Sequence, residues 1–159
     1  MVLPVDGGFG VEIPFVTHLG FVLTVFADGR SEIRYAPRSE HLNSFSVTHG
    51  GALMTLLDVT MATAARSVAP DMGVVTIEMK TSFMQPALPS TDGPLVAKGE
   101  LMHRTATMAF TQATVLDADG KPCAHATGTF KYVKRLATGT RSVNALNTSG
   151  RNADVISTD

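Results

Sequence analysis

Apolar and polar residues follow two different periods in the middle of this chain. From residue 53 onward apolar side chains recur at helical spacing, and Pro70 closes the stretch; the positions are Leu53, Leu56, Leu57, Thr60 and Ala64. After Gly73 the pattern changes to alternation, with Val75, Ile77, Met79, Thr81 and Phe83 on one face and Thr76, Glu78, Lys80 and Ser82 on the other. We therefore predict one long helix that is followed directly by a strand.

Shorter patterns on both sides of this unit predict further strands. The runs 21–26 and 32–35 flank an Asp28-Gly29 pair, which is a strong signal for a hairpin. Three later runs, 95–104, 108–117 and 123–133, are separated by residues typical of loops. The order β-β-α-β-β-β-β predicts an α+β domain of the hotdog type, with a long antiparallel sheet wrapped around one helix. We assign residues 1–136 to this single domain and 137–159 to a polar C-terminal tail.

The predicted helix carries a single charge in its interior. Asp58 is the only charged residue from Gly50 to Ala65, and its helical neighbours are apolar: Met54, Met61, Ala62 and Ala65. A helix so poor in charge is apolar on nearly all sides and should be buried rather than laid on a surface. A carboxylate there needs a partner or an exposed strip of the helix. The functional alternative is a base that activates water, or a nucleophile.

The start of the same helix offers a second chemical group. A polar loop ends at Thr48 and His49, beside Gly50 and Gly51. The first turn of a helix presents backbone N–H groups without intrahelical partners, reinforced by the helix dipole. Gly50 has no side chain to keep a ligand away, so its N–H could stabilise an oxyanion on a carbonyl, while His49 would orient the carbonyl or the loop. Tight packing of a buried helix start is the alternative explanation.

The spacing of these two groups has a geometric consequence. Asp58 follows Gly50 by eight positions, and eight helical residues advance about 12 Å. One chain therefore cannot aim both groups at one carbonyl carbon. Two helices packed antiparallel across a two-fold axis would bring Gly50 of one subunit to Asp58 of the other. We expect a homodimer or a dimer of dimers.

The segment HLNSFSVTHGGAL (residues 41–53), followed by Leu57-Asp58, resembles the phenylacetate-type (PaaI-like) hotdog-fold acyl-CoA thioesterase family. The family pattern is H-x-N, a short turn, H-G-G and an acid eight residues after the first glycine of that pair. The resemblance extends from about residue 14 to residue 133. One position departs, because Ser46 stands where the family commonly has a glycine. Either the turn differs, or Ser46 adopts a positive φ at some energetic cost.

This resemblance implies an acyl-CoA thioesterase that acts on a short- or medium-chain or aryl acyl-CoA. It implies the arrangement across subunits described above and adds Thr76, whose hydroxyl would orient the attacking water. Asn43 would hydrogen-bond the acid or the water, and Arg104 would contact the phosphates of CoA. The alternatives are an ordinary strand threonine, an asparagine that stabilises its own loop and a solvated surface arginine.

Composition narrows the range of partners. Thirteen Lys plus Arg against fourteen Asp plus Glu give a net charge of −1, which provides no electrostatic surface for nucleic acid or an anionic membrane. Nothing in the sequence reads as a secretory signal, and no apolar run approaches the roughly 18 residues of a membrane helix. The expected partner is therefore a small molecule, the acyl-CoA substrate.

Cysteine and histidine usage bears on cofactors and compartment. The single cysteine, Cys123, excludes an internal disulfide and a cysteine-based zinc cluster, and it suits a reducing cytoplasm. The histidines lack metal-ligand spacing, so no metal is expected. No cofactor is expected either, because coenzyme A would be part of the substrate.

Two other functions stay open from the sequence. A hotdog enoyl-CoA hydratase or dehydratase would use a histidine with an acid, a role that His49 and Asp58 could fill. The His-Gly-Gly sequence at a helix start matches the thioesterase pattern better. A non-catalytic acyl-CoA-binding protein would keep the pocket and lose the acid, whereas Asp58 is present.

Overall fold

A computed structural model describes residues 6–134 of the chain. Two helices and six strands follow one another: α1 Pro14–Leu19, β1 Val22–Ala27, β2 Arg30–Tyr35, α2 Gly50–Arg66, β3 Met72–Phe83, β4 Leu95–Arg104, β5 Met108–Leu116 and β6 Pro122–Lys134. A single turn of 3-10 helix, Ser39–His41, lies in the loop between β2 and α2. The tail predicted for residues 137–159 lies outside the described residues.

The six strands form one antiparallel sheet in the order β1-β2-β4-β5-β6-β3. Helix α2 packs across this sheet and contacts all six strands. The predicted α+β hotdog architecture is therefore confirmed. Within residues 6–134, strands β1 and β3 form the two edges of the sheet, so β3 has β6 as its one strand neighbour there.

Helix α2 buries the face that its periodicity predicts. The side chains at the helical positions are all buried against the sheet: Leu53, Leu56, Leu57, Thr60 and Ala64. On the other side Gly51 and Met54 are exposed, and Asp58 and Ala62 are partly exposed. The helix is therefore buried against the sheet, as predicted, but within one chain this burial is confined to one side. A strip that contains Asp58 faces away from the sheet.

Strand β3 contains a β-bulge that the alternation pattern did not predict. Thr76 pairs with Phe130 of β6, but Glu78 pairs with the preceding residue, Thr129, so Ile77 is an extra residue. Antiparallel partners share a face of the sheet. Phe130 is buried against the core, which places Thr76 on the side of α2.

The bulge corrects one sequence prediction. Val75 and Ile77 do not share a face with Met79, because the extra residue exchanges the two faces of the strand between Thr76 and Glu78. Met79 packs against the core, whereas Val75 and Ile77 are 45% and 54% exposed. The polar Thr76 therefore lies on the inner face of the strand.

Helix α1 is a further difference from the sequence prediction. It has only six residues, begins with Pro14 and ends at Gly20, whose φ of 76° is the left-handed conformation of a helix C-cap. Val16 and Leu19 are buried in the core. Among the described residues no helix has the length and apolarity to cross a membrane.

Candidate active site

The predicted site residues form two clusters at different points along α2. Asn43, His49 and Gly50 lie at the N-terminus of the helix, and Asp58 lies with Thr76 farther along it. Because α2 is continuous from Gly50 to Arg66, the rise between Gly50 and Asp58 is about 12 Å.

The backbone N–H groups at the start of α2 have acceptors, with one exception. Thr48 donates to the Ala87 carbonyl at 3.0 Å, His49 to the His41 carbonyl at 2.9 Å and Ala52 to the His49 carbonyl at 2.9 Å. Gly51 donates to Nδ1 of His49 at 2.8 Å. No group within residues 6–134 accepts the N–H of Gly50. This N–H is therefore a free donor at the positive end of the helix dipole.

His49 is the N-cap of α2, and the Nδ1 atom of its side chain is engaged with the first turn of the helix. Its Nδ1 accepts the Gly51 N–H, so the proton of the neutral ring resides on Nε2. The ring also lies close to Gly51, where an added Cβ would meet Nδ1 at 3.0 Å. His49 thus holds the first turn in place beside the free Gly50 N–H.

Asn43 closes the loop that leads into α2. Its Oδ1 accepts the N–H groups of Phe45 at 2.9 Å and Val47 at 3.2 Å, and its own N–H donates to the Val47 carbonyl at 2.8 Å. Because Oδ1 is engaged, the donor end of the amide, Nδ2, is the part that Asn43 can offer to a ligand. Ser46 in this loop adopts a φ of 58°. Of the two alternatives for Ser46, the structure shows the positive φ.

A cavity of about 500 Å³ opens beside this helix start. Asn43, Thr48, Gly50 and Gln85 contribute to its wall, and the remainder is largely apolar, including Phe45, Val47, Leu53, Phe83, Met84 and Ala87. An added Cβ on Gly50 would meet the tip of the Phe83 ring at 3.4 Å, so the ring lies directly against the glycine. The cavity has the composition of a site for an apolar group whose polar end reaches the Gly50 N–H.

Asp58 has a specific partner. The hydroxyl of Thr76 donates to Oδ1 of Asp58 at 2.7 Å, which the bulge at Ile77 makes possible by turning Thr76 toward α2. The carboxyl group is partly exposed on the uncovered strip of the helix. Asp58 therefore has both the hydrogen-bond partner and the exposed strip that a carboxylate on this helix requires.

Arg104 lies apart from both clusters. Its guanidinium stands over the ring of Tyr132 at 4.8 Å from the centroid, and Nη1 donates to the Val68 carbonyl at 3.4 Å. The cross-strand row Arg104, Ala109, Phe130, Thr76 puts three strand spacings between Arg104 and Thr76, about 14 Å. Within one chain, the structure does not bring Arg104 together with Gly50 or Asp58.

His41 is a neighbour of the site to which the sequence gave no chemical role. It is buried, its Nδ1 accepts the Arg38 N–H at 3.1 Å, and its carbonyl accepts the His49 N–H. Its position two residues before Asn43 in the H-x-N motif was the available signal. Within residues 6–134 no cluster of three His, Cys, Asp or Glu side chains could hold a metal ion.

The sequence of this chain is similar to those of known thioesterases and esterases. The model of the thioesterase superfamily matches residues 45–124. A Saccharolobus solfataricus protein described as a candidate esterase is 32% identical over 107 residues, which cover 67% of this chain and 74% of that protein.

Several solved structures are similar to this chain in fold. A conserved protein of Pseudomonas aeruginosa is 28% identical with a TM-score of 0.71, covering 76% of this chain and 94% of its own. A Ralstonia eutropha protein, described as a candidate thioesterase related to phenylacetic acid degradation, is 26% identical with a TM-score of 0.68, covering 77% and 95%. The PaaI protein of E. coli, 20% identical with a TM-score of 0.70 over 77% and 86%, shares the fold.

Proposed function

This chain belongs to the thioesterase superfamily and is a thioester hydrolase, and from that premise we propose that it hydrolyses an acyl-CoA to the free acid and CoA at a site shared by two subunits. The membership confirms the family resemblance of residues 41–58. We propose the substrate, the roles of individual residues and the subunit assembly on the grounds that follow.

The uncommitted N–H of Gly50 is the observation that carries the proposal. The N–H groups of Thr48, His49, Gly51 and Ala52 all have acceptors, so the helix start presents one directed donor beside an apolar cavity. The carbonyl oxygen of a bound thioester would accept this N–H and gain negative charge during attack. A donor of this kind contributes about 10²-fold to 10³-fold to the rate.

Asp58 supplies the second half of the reaction, as a base or as a nucleophile. As a base it takes a proton from water, the hydroxide adds to the carbonyl carbon, and the C–S bond breaks to release CoA. As a nucleophile its carboxylate adds to the carbonyl carbon, the C–S bond breaks to release CoA, and water hydrolyses the resulting anhydride to the free acid and the Asp58 carboxylate. In both cases Thr76 fixes Oδ1 of the carboxylate, so that Oδ2 faces the reacting atom or the water.

Both groups can serve one carbonyl only if two chains combine. The strip of α2 that carries Met54 and Asp58 is uncovered in one chain, and the adjacent edge strand β3 exposes Val75 and Ile77. A two-fold arrangement covers this strip with its own copy and brings Gly50 of one subunit to Asp58 of the other. We propose a homodimer or a dimer of dimers, with Asn43 and His49 acting from the subunit that supplies Gly50.

The cavity indicates the class of acyl group. Phe45 and Phe83 flank it, 83% and 53% exposed in one chain, and apolar side chains of this size suit a short or medium alkyl chain or an aromatic ring. The described function of the Ralstonia eutropha relative is consistent with an aryl group. Water is the sole co-reactant, so the reaction needs no cofactor.

Arg104 would contact CoA phosphates from outside the two clusters, on the far side of β6 from Thr76. A single free, buried Cys123 suits the reducing cytoplasm, where we place the protein. A net charge of −1 offers no surface for nucleic acid or anionic membrane.

A hydratase or dehydratase, the alternative from the sequence, is disfavoured by the position of His49. Its Nδ1 already accepts the Gly51 N–H, so the neutral ring has no free acceptor with which to take a proton from water. A non-catalytic acyl-CoA-binding protein would have no use for the Asp58 carboxylate held by Thr76.

A thiol-release assay tests the proposal. We expect free CoA from a panel of short-chain, medium-chain and aryl acyl-CoAs, and also from crotonyl-CoA, since hydration alone releases no thiol. Asp58→Asn still accepts the Thr76 hydrogen bond but neither takes a proton nor attacks, so kcat should fall by about 10²-fold to 10⁴-fold. Glu100→Gln, an exposed carboxylate on β4 that accepts from Gln112, is the matched control and should keep full activity. Wild-type turnover in Asp58→Asn would remove Asp58 from the mechanism.

A further inference from the structure

The buried side chain of His41 contacts α1 and β2, and its backbone contacts the start of α2. The centroid of its ring lies 5.7 Å from that of Tyr35 in β2 and 6.1 Å from that of His18 in α1, which it meets edge-on. It is 6% exposed, although it belongs to a loop. A histidine in such a position is fixed by packing on several sides.

Two hydrogen bonds connect His41 to the candidate site. Its Nδ1 accepts the Arg38 N–H at 3.1 Å, and its carbonyl accepts the His49 N–H at 2.9 Å. The next residue, Leu42, forms a β-bridge with Thr48. The two residues that directly precede Gly50 are therefore held by the backbone of residues 41 and 42.

The protonation state of His41 follows from these contacts. Because Nδ1 accepts a hydrogen bond, the neutral ring carries its proton on Nε2. Nε2 is buried and no group in the described part of the chain pairs with it. A cationic ring would need a donor role at Nδ1, where the Arg38 N–H already points.

We propose that His41 is a positioning residue, whose neutral imidazole fixes the start of α2 and so aims the Gly50 N–H at the substrate, and whose protonation releases this geometry in acid. The proposal rests on the role of Gly50 given under the proposed function. It adds a residue that never touches the substrate and makes the site sensitive to pH.

The burial of the ring, more than the charges around it, opposes its protonation. Burial and the neighbouring Arg38 guanidinium hold the pKa of His41 below its usual value of 6.5, against the pull of Glu40. Glu40 is itself paired with Arg38 at 2.8 Å. The other titratable groups that face the ring are His18 and Tyr35, and neither supplies a negative charge near neutral pH.

The sign of the effect follows from this lowered pKa. The folded state favours the neutral ring, so its contribution to stability is complete above pH 6.5 and declines as the pH falls from 6.5 through the pKa of the folded protein. When the ring becomes charged, Nδ1 ceases to accept the Arg38 N–H and the loop loses an anchor. The N–H of His49, bonded to the His41 carbonyl, should become exposed to solvent at the same pH.

Hydrogen exchange in the ligand-free protein tests this coupling without any substrate. By NMR, the protection factor of the His49 N–H should fall at least about 10-fold over the pH range in which the His41 ring titrates. His41→Asn keeps an acceptor near the Nδ1 position and cannot be charged, so its protection factor should not change with pH. His103→Asn, which removes an exposed histidine of β4, should behave as the wild type.

Activity provides the second readout. His41→Leu replaces the ring with an apolar side chain that has no acceptor. Its kcat at neutral pH should fall about 10-fold to 10²-fold, a loss no larger than that expected when one oxyanion donor is removed. KM should change little, and His41→Asn should restore most of kcat. Titration of His41 without any change in the protection of His49 would overturn the proposal, as would a kcat of His41→Leu equal to that of the wild type. A failure to hydrolyse thioesters would refute only the proposed function, since the exchange result stands without a substrate.

Discussion

The hydroxyl of Thr76 donates a hydrogen bond of 2.7 Å to Oδ1 of Asp58 and thereby links the edge strand β3 to the central helix α2. The bond exists because the bulge at Ile77 turns Thr76 to the helix side of the strand. A carboxylate with one oxygen held in this way presents the other in a defined direction. The catalytic proposal for Asp58 therefore depends on an irregularity in a neighbouring strand.

Removing this hydroxyl should impair turnover without unfolding the protein. In Thr76→Val the shape of the side chain is nearly unchanged, but a hydrogen bond to a charged group, worth about 1.5–3 kcal/mol, is lost. If that bond orients Asp58 in the transition state, kcat should fall about 10-fold to 10²-fold in a thiol-release assay. Thr76→Ser should recover most of it.

A second threonine of β3 supplies the control. The Oγ1 of Thr81 is buried and has no partner in the described part of the chain. Thr81→Val should therefore leave the activity unchanged and keep or raise the melting temperature. An equal loss of activity in both variants would show that β3 tolerates no valine, and would contradict a specific role for Thr76.

Gly50→Ala tests the oxyanion donor. The added methyl group would meet the tip of the Phe83 ring at 3.4 Å, a contact that a small ring movement relieves. We therefore expect the melting temperature to change little. The value of kcat should fall by about 10²-fold, because the methyl group obstructs the approach of the substrate carbonyl to the Gly50 N–H. Gly93→Ala, whose Cβ would lie 3.6 Å from Ala118, is the control. A melting temperature that falls in proportion to kcat would instead indicate a packing role for Gly50.

Complementation tests whether the site spans two subunits. Asn43→Ala and Asp58→Asn, each inactive alone, are refolded together in equal amounts. In a mixed dimer one site collects both substitutions and the other collects neither, and random pairing makes half the dimers mixed. About a quarter of wild-type activity should therefore return.

This experiment requires two controls. Asn43→Ala must be severely impaired by itself, and exchange of subunits must be demonstrated, for example with a mass-tagged chain. Activity that stays at the level of the parents despite exchange would show that Asn43 and Asp58 act within one chain.

The two tyrosines should ionise abnormally late. Burial raises the pKa of Tyr35 to about 12, and burial also raises the pKa of Tyr132, against the effect of Arg104. The folded state thus favours the protonated form of Tyr35, so its contribution to stability is complete below pH 10 and is lost as the pH rises from 10 through about 12. Phenolate absorbance should be nearly absent at pH 10 in the native protein and should appear on unfolding in urea. An ordinary titration of both rings in the native state would contradict their burial.

The sequence predicted the fold because its periods are long and regular. The helix from Gly50 shows its buried face at helical spacing, and the strands around the Asp28-Gly29 turn follow a known hairpin signal. Asp58 could be singled out because it is the one charge in that helix. Gly50 could be singled out because a helix start has free N–H groups whatever the fold.

Other features leave no periodic pattern in the sequence, so the sequence did not predict them. The bulge at Ile77 is defined only by its register with β6, about fifty residues later, and it reverses the faces that alternation assigns. His41 gains its importance from bonds to Arg38 and His49, its neighbours in the same irregular loop, where no helical or strand periodicity marks them. Helix α1, with six residues, is too short for a periodic signal.

Because the edge of β3 is exposed in one chain, the concentration of subunits should affect aggregation as well as activity. In the part of the chain that the structure describes, β3 is a strand of twelve residues with one unpaired edge; it exposes Val75 and Ile77 and contains no proline. Such a strand is a template for unintended strand addition. In the proposed dimer, pairing of β3 with its own copy would close that edge, whereas a chain held apart by dilution or by a disruptive mutation would leave it open. Variants that weaken self-association should therefore aggregate during expression before any loss of thermal stability becomes measurable.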